Sequence, residues 1–135
     1  MSDQLLVRVA AVAGATGVLI GAFGAHALPD FLADSGMEPS TIARRMAQFE
    51  TAARYHLIHA VAILAAGSLG QRNPRLVRAV GLMFAIGILL FSVSLYLLVI
   101  TDTPKLGAIT PLGGATWIVA WTMLFFGVGR TPSQS

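Results

Sequence analysis

Apolar residues in this chain fall into four long runs, Leu5–Leu28, Thr51–Gly70, Ala79–Ile100 and Leu106–Val128, and nearly all the charge lies between them. A helix crossing the hydrocarbon of a bilayer needs about 20 mostly apolar residues, and each run is close to that length. The pattern predicts an all-α fold: a single domain forming an integral membrane four-helix bundle, with spans at about 5–28, 51–70, 79–100 and 106–128 and both termini on one side. Only Thr101–Lys105 separates the last two runs, so they form a tight antiparallel hairpin. Between the second and third, Asn73-Pro74 marks a turn.

The longest connection, Pro29–Glu50, contains a helix start, with Ser40 or Thr41 as its cap. Nothing from Thr41 to Gly70 breaks a helix. At 1.5 Å per residue such a helix is roughly 45 Å long, more than the thickness of the hydrocarbon. Two forms follow: a straight helix whose first part, about 40–50, is an exposed extension before the second span, or a kink near Glu50 that lays that part on the membrane surface. In the fourth run, Thr110-Pro111 reads as a cap followed by a first-turn proline. Leu106–Ile109 then becomes a lead-in to the regular helix.

Composition strengthens the membrane assignment. Of 135 residues, 56% are hydrophobic and 11% charged, against about 25% charged in soluble domains, and the mean hydropathy is +0.75. So little polar surface cannot coat a water-facing globule, which makes the lipid bilayer the first expected partner. The absence of cysteine excludes disulfides, thiolate metal ligands and a cysteine nucleophile. Nine basic residues against six acidic ones are spread through the connections rather than gathered in a stripe, which argues against nucleic acid as a partner. Arg8, Arg72, Arg75, Arg78 and Arg130 fall on the side of the termini; Arg44, Arg45, Arg54 and Lys105 fall on the other. The dense Arg72/Arg75/Arg78 cluster favours both termini in the cytoplasm.

The first run has a rival interpretation as a cleaved signal peptide, with Arg8 as the basic region and Ala25-His26-Ala27 as the cleavage site. Asp3 in the basic region and an apolar stretch beyond the usual 7–15 residues both count against it. So does the spacing of its glycines. Gly14, Gly17, Gly21 and Gly24 step by three, four and three residues and share one helix face. Gly17–Gly21 is a GxxxG motif that lets helix backbones approach closely in lipid. Packing against another span of the same chain is the favoured role for this face, with a homo-oligomer seam as the sharper alternative. Gly113 and Gly114 are further close-packing positions.

Ionisable groups inside a membrane are costly and usually face a bundle interior or a water-filled cavity. Here they are His26, closing the first run, and Glu50, Arg54, His56 and His59 around the start of the second. Glu50 and Arg54 are four apart and can pair on a helix. His56 and His59 lie three apart, about 60° around the axis. Glu50 and His59 fall on nearly opposite sides, and no HExxH is present, which weakens a metal-enzyme assignment. Haem held by His26 and His59 is disfavoured because the two differ in depth by roughly 12 Å at helical rise. No cofactor or metal is therefore expected. Spans alternate in direction, so His26, Glu50, Arg54, His56, Tyr96, Thr110, Pro111, Gly113 and Gly114 all lie toward one end of the bundle. Together with the deeper His59, the polar members form the candidate polar site; Ser92 and Ser94 are packing support.

Four ordered motifs carry a resemblance over nearly the whole chain: Gly21-Ala-Phe-Gly-Ala-His-Ala-Leu28, Phe49-Glu-Thr-Ala-x-Arg-Tyr-His-x-x-His-Ala60, Leu90-Phe-Ser-x-Ser-Leu-Tyr-Leu97 and Leu106-Gly-Ala-Ile-Thr-Pro-Leu-Gly-Gly114. The chain resembles the bacterial domain-of-unknown-function 423 membrane proteins, a group similar to the eukaryotic transmembrane protein 256 family. The resemblance implies a small four-span protein of the bacterial inner membrane and implies no reaction, ligand or catalytic residue. The chain departs from the group mainly in its longer connection, Pro29–Ser40. The leading functional expectation is a non-enzymatic component that binds a partner or a lipid, as an accessory subunit of a larger membrane complex. A small-molecule or proton-coupled carrier built on His26, Glu50, Arg54 and His59 is the alternative, and a haem- or quinone-linked enzyme ranks third.

Overall fold

The computed structural model describes residues 3–68 and 73–127, and every regular element among them is helical. Helix α1 (Asp3–His26) is followed by the short α2 (Leu28–Asp34) and the long α3 (Pro39–Ser68). A second long rod consists of α4 (Pro74–Gly87), a π-helical stretch (Ile88–Val93) and α5 (Ser94–Thr101). A 3₁₀ turn (Pro104–Ala108) then leads into α6 (Thr110–Gly127). Gly70, Arg72, Val128 and Arg130, which figure in the span limits and charge balance above, lie outside the described residues.

Gln4–His26, Pro74–Thr101 and Pro104–Gly127 are long and apolar enough to cross a membrane. The fourth rod, α3, has the length but carries Arg44, Arg45, Glu50, Arg54, His56 and His59. It is one of two inner rods, the other and more buried one being Pro74–Thr101. Helix α3 packs along α1 on one side and along α4, the π stretch and α5 on the other, while α6 packs on α4 and the π stretch. The rods thus form a staggered row of α1, α3, α4–α5 and α6, with the least apolar member inside.

Local chemistry explains the breaks. Pro29 sits in the first turn of α2, which buries Leu28 and Leu32. Gly36, at φ +74°, supplies the left-handed turn beyond its end. Helix α3 then runs uninterrupted from Pro39, the straight form of the two considered. Its start differs from the expected caps: the amides of Thr41 and Ile42 donate to the Glu38 carbonyl at 2.9 and 3.0 Å, so Pro39 occupies the first turn and neither Ser40 nor Thr41 caps it. Asn73 caps α4 by accepting from the Leu76 amide at 3.2 Å, with Pro74 just inside. Thr110 does not cap α6; its hydroxyl lies 3.0 Å from that of Ser94 and ties α6 to α5.

Close approaches between rods depend on glycines, though not on the whole expected stripe. A Cβ on Gly17 would lie 2.7 Å from Leu57 Cδ2, and one on Gly24 would lie 2.6 Å from the Phe49 ring. At Gly14 and Gly21 nothing stands within 4 Å. Alternate glycines therefore dock α1 on α3, and the other two stay open. Across the row, a Cβ on Gly113 would meet the backbone nitrogen of Phe91 at 2.5 Å, and one on Gly87 would overlap the Trp117 indole. Gly81 similarly accepts Leu6 of α1.

These contacts rank three alanine substitutions. Gly113→Ala faces backbone that cannot move aside and is expected to cost about 2–3 kcal/mol, the upper range for overpacking. Gly24→Ala, against a ring edge that can tilt, should cost about 1 kcal/mol. Gly14→Ala should cost nothing measurable. Unfolding titrations in mixed micelles check the order, and an equal loss at Gly14 and Gly113 would refute it.

Candidate functional site

Helix α3 carries the polar centre. The His56 side chain is buried, its Nδ1 is 3.3 Å from the Tyr96 hydroxyl of α5, and its ring faces Gly17 and the Ala13 main chain of α1. His59, one turn further on, is also buried, with 3% of its surface exposed. Its Nδ1 lies 2.8 Å from the Tyr55 carbonyl. A carbonyl can only accept, so Nδ1 carries the proton, and in the neutral ring Nε2 keeps its lone pair. The imidazole stacks on Trp117 of α6, with centroids 3.6 Å apart and planes 4° from parallel. Trp117 is fixed in turn, its Nε1–H donating to the Phe84 carbonyl at 3.1 Å. That carbonyl belongs to the last turn of α4, just before the π stretch.

The two histidines face different openings. Between α1 and the α4–π rod runs a groove of about 600 Å³, lined by Arg8, Val12, Ala13, His56, Ile88 and Leu89 among others. It exists because α1 follows α3 and meets the second rod mainly near Leu6 and Gly81. On the other side, α3 and α6 leave a cleft of about 400 Å³ whose walls include Tyr55, His59, Phe91, Gly114, Trp117 and Trp121. His56 lines the first and His59 the second. Three residues of helical turn are enough to separate them.

Other expected site residues are more scattered. Tyr96 is buried and joins His56 to Phe49, whose ring centroid is 4.9 Å from that of Tyr96. Glu50 and Arg54 are both exposed and do not pair; two solvated side chains gain little by meeting. Glu50 instead borders a small cavity with Gly21, Gly24 and Ala25. His26 is exposed at the end of α1 and touches none of the other site residues through a hydrogen bond. Thr110 meets Ser94 rather than the histidines, and Gly114 lines the α3/α6 cleft. No group of three His, Asp or Glu among the described residues could hold a metal ion.

Two features escaped the sequence. Arg45, 4% exposed, pairs with Asp102, its Nε 3.0 Å from Oδ1, and its Nη1 donates to Gln48 Oε1 at 3.0 Å. Asp102 occupies a left-handed position (φ 44°) that ends α5 and turns its carboxylate back toward α3. Only the Arg45–Gln48 spacing of three was visible beforehand. Trp117 has no signature in the sequence either, because one aromatic residue in an apolar run gives no periodic signal.

A family model described as a protein of unknown function (DUF423) matches residues 20–114. The UPF0382 membrane protein SSP2132 of Staphylococcus saprophyticus is 38% identical over 79% of this chain and 82% of its own length. The UPF0382 membrane protein YwdK of Bacillus subtilis is 32% identical over 90% and 93%. The UPF0382 inner membrane protein YgdD of Escherichia coli is 30% identical over 96% and 93%. No solved structure matches.

The Arg45–Asp102 pair is expected to respond asymmetrically to mutation. Asp102→Ala leaves a buried cation without its carboxylate and should cost about 2 kcal/mol. Arg45→Met removes the cation and leaves Asp102, 48% exposed, to water; its cost should stay below about 1 kcal/mol. Paired unfolding titrations of the two variants measure the difference.

Proposed function

We propose that this chain, which belongs to the DUF423 family of bacterial membrane proteins, is a non-enzymatic component that holds an anionic phospholipid in the α1/α4 groove. One observation carries this: the apolar groove of about 600 Å³ has Arg8 as the charged residue in its wall, within a turn of Leu5 toward the start of α1. Its volume is within the usual range for small-ligand sites, and its walls suit a hydrocarbon chain. Leu6 against Gly81 sets the beginnings of α1 and α4 at the same end of the bundle. Arg8, Arg75 and Arg78 are all exposed there, and none forms an ion pair with another described residue. The acidic residues of α2, α3 and the α5 end belong to the opposite end.

This end faces the cytoplasm in our proposal, following the bias of arginine toward that side. The protein then resides in the bacterial inner membrane, where the cytoplasmic leaflet offers anionic headgroups to a juxtamembrane basic cluster. A carrier draws less support, since His56 and His59 line separate openings and Glu50 and Arg54 are apart from both.

Native mass spectrometry of protein released from nanodiscs tests the proposal with phosphatidylglycerol against phosphatidylcholine. Phosphatidylglycerol is expected to be retained preferentially, one molecule per chain. At about 1 kcal/mol per basic residue near the surface, each of Arg8→Gln, Arg75→Gln and Arg78→Gln should weaken it roughly fivefold. Val12→Trp, an exposed groove position, should displace it. Equal retention of both lipids, or no effect of Val12→Trp, removes the proposal.

A further inference from the structure

The α3/α6 cleft lies away from the lipid groove and has a different chemistry. Its walls are aromatic: Tyr55, Phe91, Trp117 and Trp121, with His59 set among them. Tyr55 and Trp117 are near-parallel, 14° apart with centroids at 5.7 Å, and Trp117 lies flat against the imidazole. Such faces suit a planar ring, which stacks offset or edge-on against them. His59 contributes a fixed acceptor to a cleft that Tyr55 and Trp121, each with a polar handle of its own, also line. With Nδ1 committed to the Tyr55 carbonyl, Nε2 is an acceptor, and no hydrogen bond from any described residue reaches it. Nε2 is not an enclosed atom: Ser92 Oγ is the enclosed side-chain polar atom without a partner among the described residues. Nε2 is therefore reachable from the cleft that His59 lines, open to a donor that enters it.

Its position narrows the ligand class. His59 is about two thirds of the way along α3, beside the apolar middle of α6, and the cleft opens sideways between α3 and α6. A molecule reaching it must be soluble in the bilayer, carry a flat ring and donate a hydrogen bond. We infer that this cleft is a binding site for a lipid-soluble aromatic alcohol of the hydroquinone class, held with its hydroxyl on His59 Nε2 and its ring among Tyr55, Trp117 and Trp121. The acceptor role gives the site a direction. A hydroquinone hydroxyl can donate to Nε2, whereas the carbonyl of the oxidised quinone can only accept and faces a lone pair. At His59 the reduced form is therefore the favoured ligand.

The chain has two tryptophans, and both line this cleft, so intrinsic fluorescence reports on it directly. The full-length protein in phosphatidylcholine nanodiscs is titrated with a decyl-substituted benzoquinol and, separately, with the matching benzoquinone. A saturable change is expected, with the quinol midpoint at least tenfold below that of the quinone. His59→Phe keeps an aromatic ring beside Trp117 but removes the acceptor, and should bring the two midpoints within twofold. Gly114→Leu fills the cleft from a position where an added Cβ meets nothing closer than 3.9 Å, and should abolish saturable binding of both. Arg8→Gln should change neither midpoint, which separates this site from the lipid groove. Equal midpoints for quinol and quinone in the unmodified protein, or saturable binding surviving Gly114→Leu, overturns the inference. The quinol-to-quinone ratio of the unmodified protein decides the matter alone if His59→Phe fails to assemble.

Discussion

Enclosing the polar side of α3 is the constraint on which the rest of the bundle depends. A bilayer offers no water to a histidine, and burial under protein removes it from an arginine, so such groups must find partners within the protein. Helix α3 carries Arg45, His56 and His59, all buried, and each is answered by a different segment. Arg45 meets Asp102 after α5, His56 meets Tyr96 of α5 and the face of α1, and His59 meets Trp117 of α6. The apolar rods are arranged around the one rod that could least tolerate lipid on all sides. A soluble domain has the reverse layout, with its most apolar surfaces inside.

Close backbone approach makes this enclosure possible. Without a hydrophobic force between helices in lipid, association relies on packing and on small residues that let the rods come near. Gly17 and Gly24 bring α1 onto Leu57 and Phe49, and Gly87 and Gly113 bring α6 onto the π stretch. The π stretch is part of the same device. Its register change falls where Trp117 bonds the Phe84 carbonyl and where Gly113 lies on the Phe91 amide. π-helical turns inside α-helices frequently accompany functional sites, and here the stretch supplies walls to both openings, Ile88, Leu89 and Val93 to one and Phe91 to the other.

Much of this architecture was legible in the sequence, for identifiable reasons. Length and apolarity give the rods, because the bilayer sets both. Chain alternation correctly brings the end of α1, the start of α3 and the end of α5 to one end of the bundle, as the Gly24–Phe49 and Arg45–Asp102 contacts require. Which glycine touches a neighbour was not legible. Gly14 and Gly17 are equivalent in composition and differ only in rotation about α1, by an angle that a tertiary contact fixes. Glu50 and Arg54 mislead in the opposite way: ideal helical spacing permits a pair, and solvent removes the reason for one. Arg45 reads as a charge in an exposed connection, because nothing in the sequence indicates that Asp102 adopts a left-handed turn and reaches it.

The placement of His56 and His59 bears on how the molecule can act. A shared polar cavity would require both imidazoles to face the same space, and a carrier would need such a space to connect the two ends. Instead a rotation of about 60° along α3 gives one ring to the α1 side and the other to the α6 side. Each ring is then clamped by its own partners: His56 by Tyr96 and the Gly17 face, His59 by the Tyr55 carbonyl and the Trp117 stack. Reorienting either would break a buried hydrogen bond and lose packing, costs that a membrane interior does not offset with water. The bundle is thus built as a rigid central helix with two lateral recesses that differ in chemistry, one aliphatic with a cation in its wall and one aromatic with a lone-pair acceptor. The two recesses have no wall residue in common, so what fits one is set independently of what fits the other.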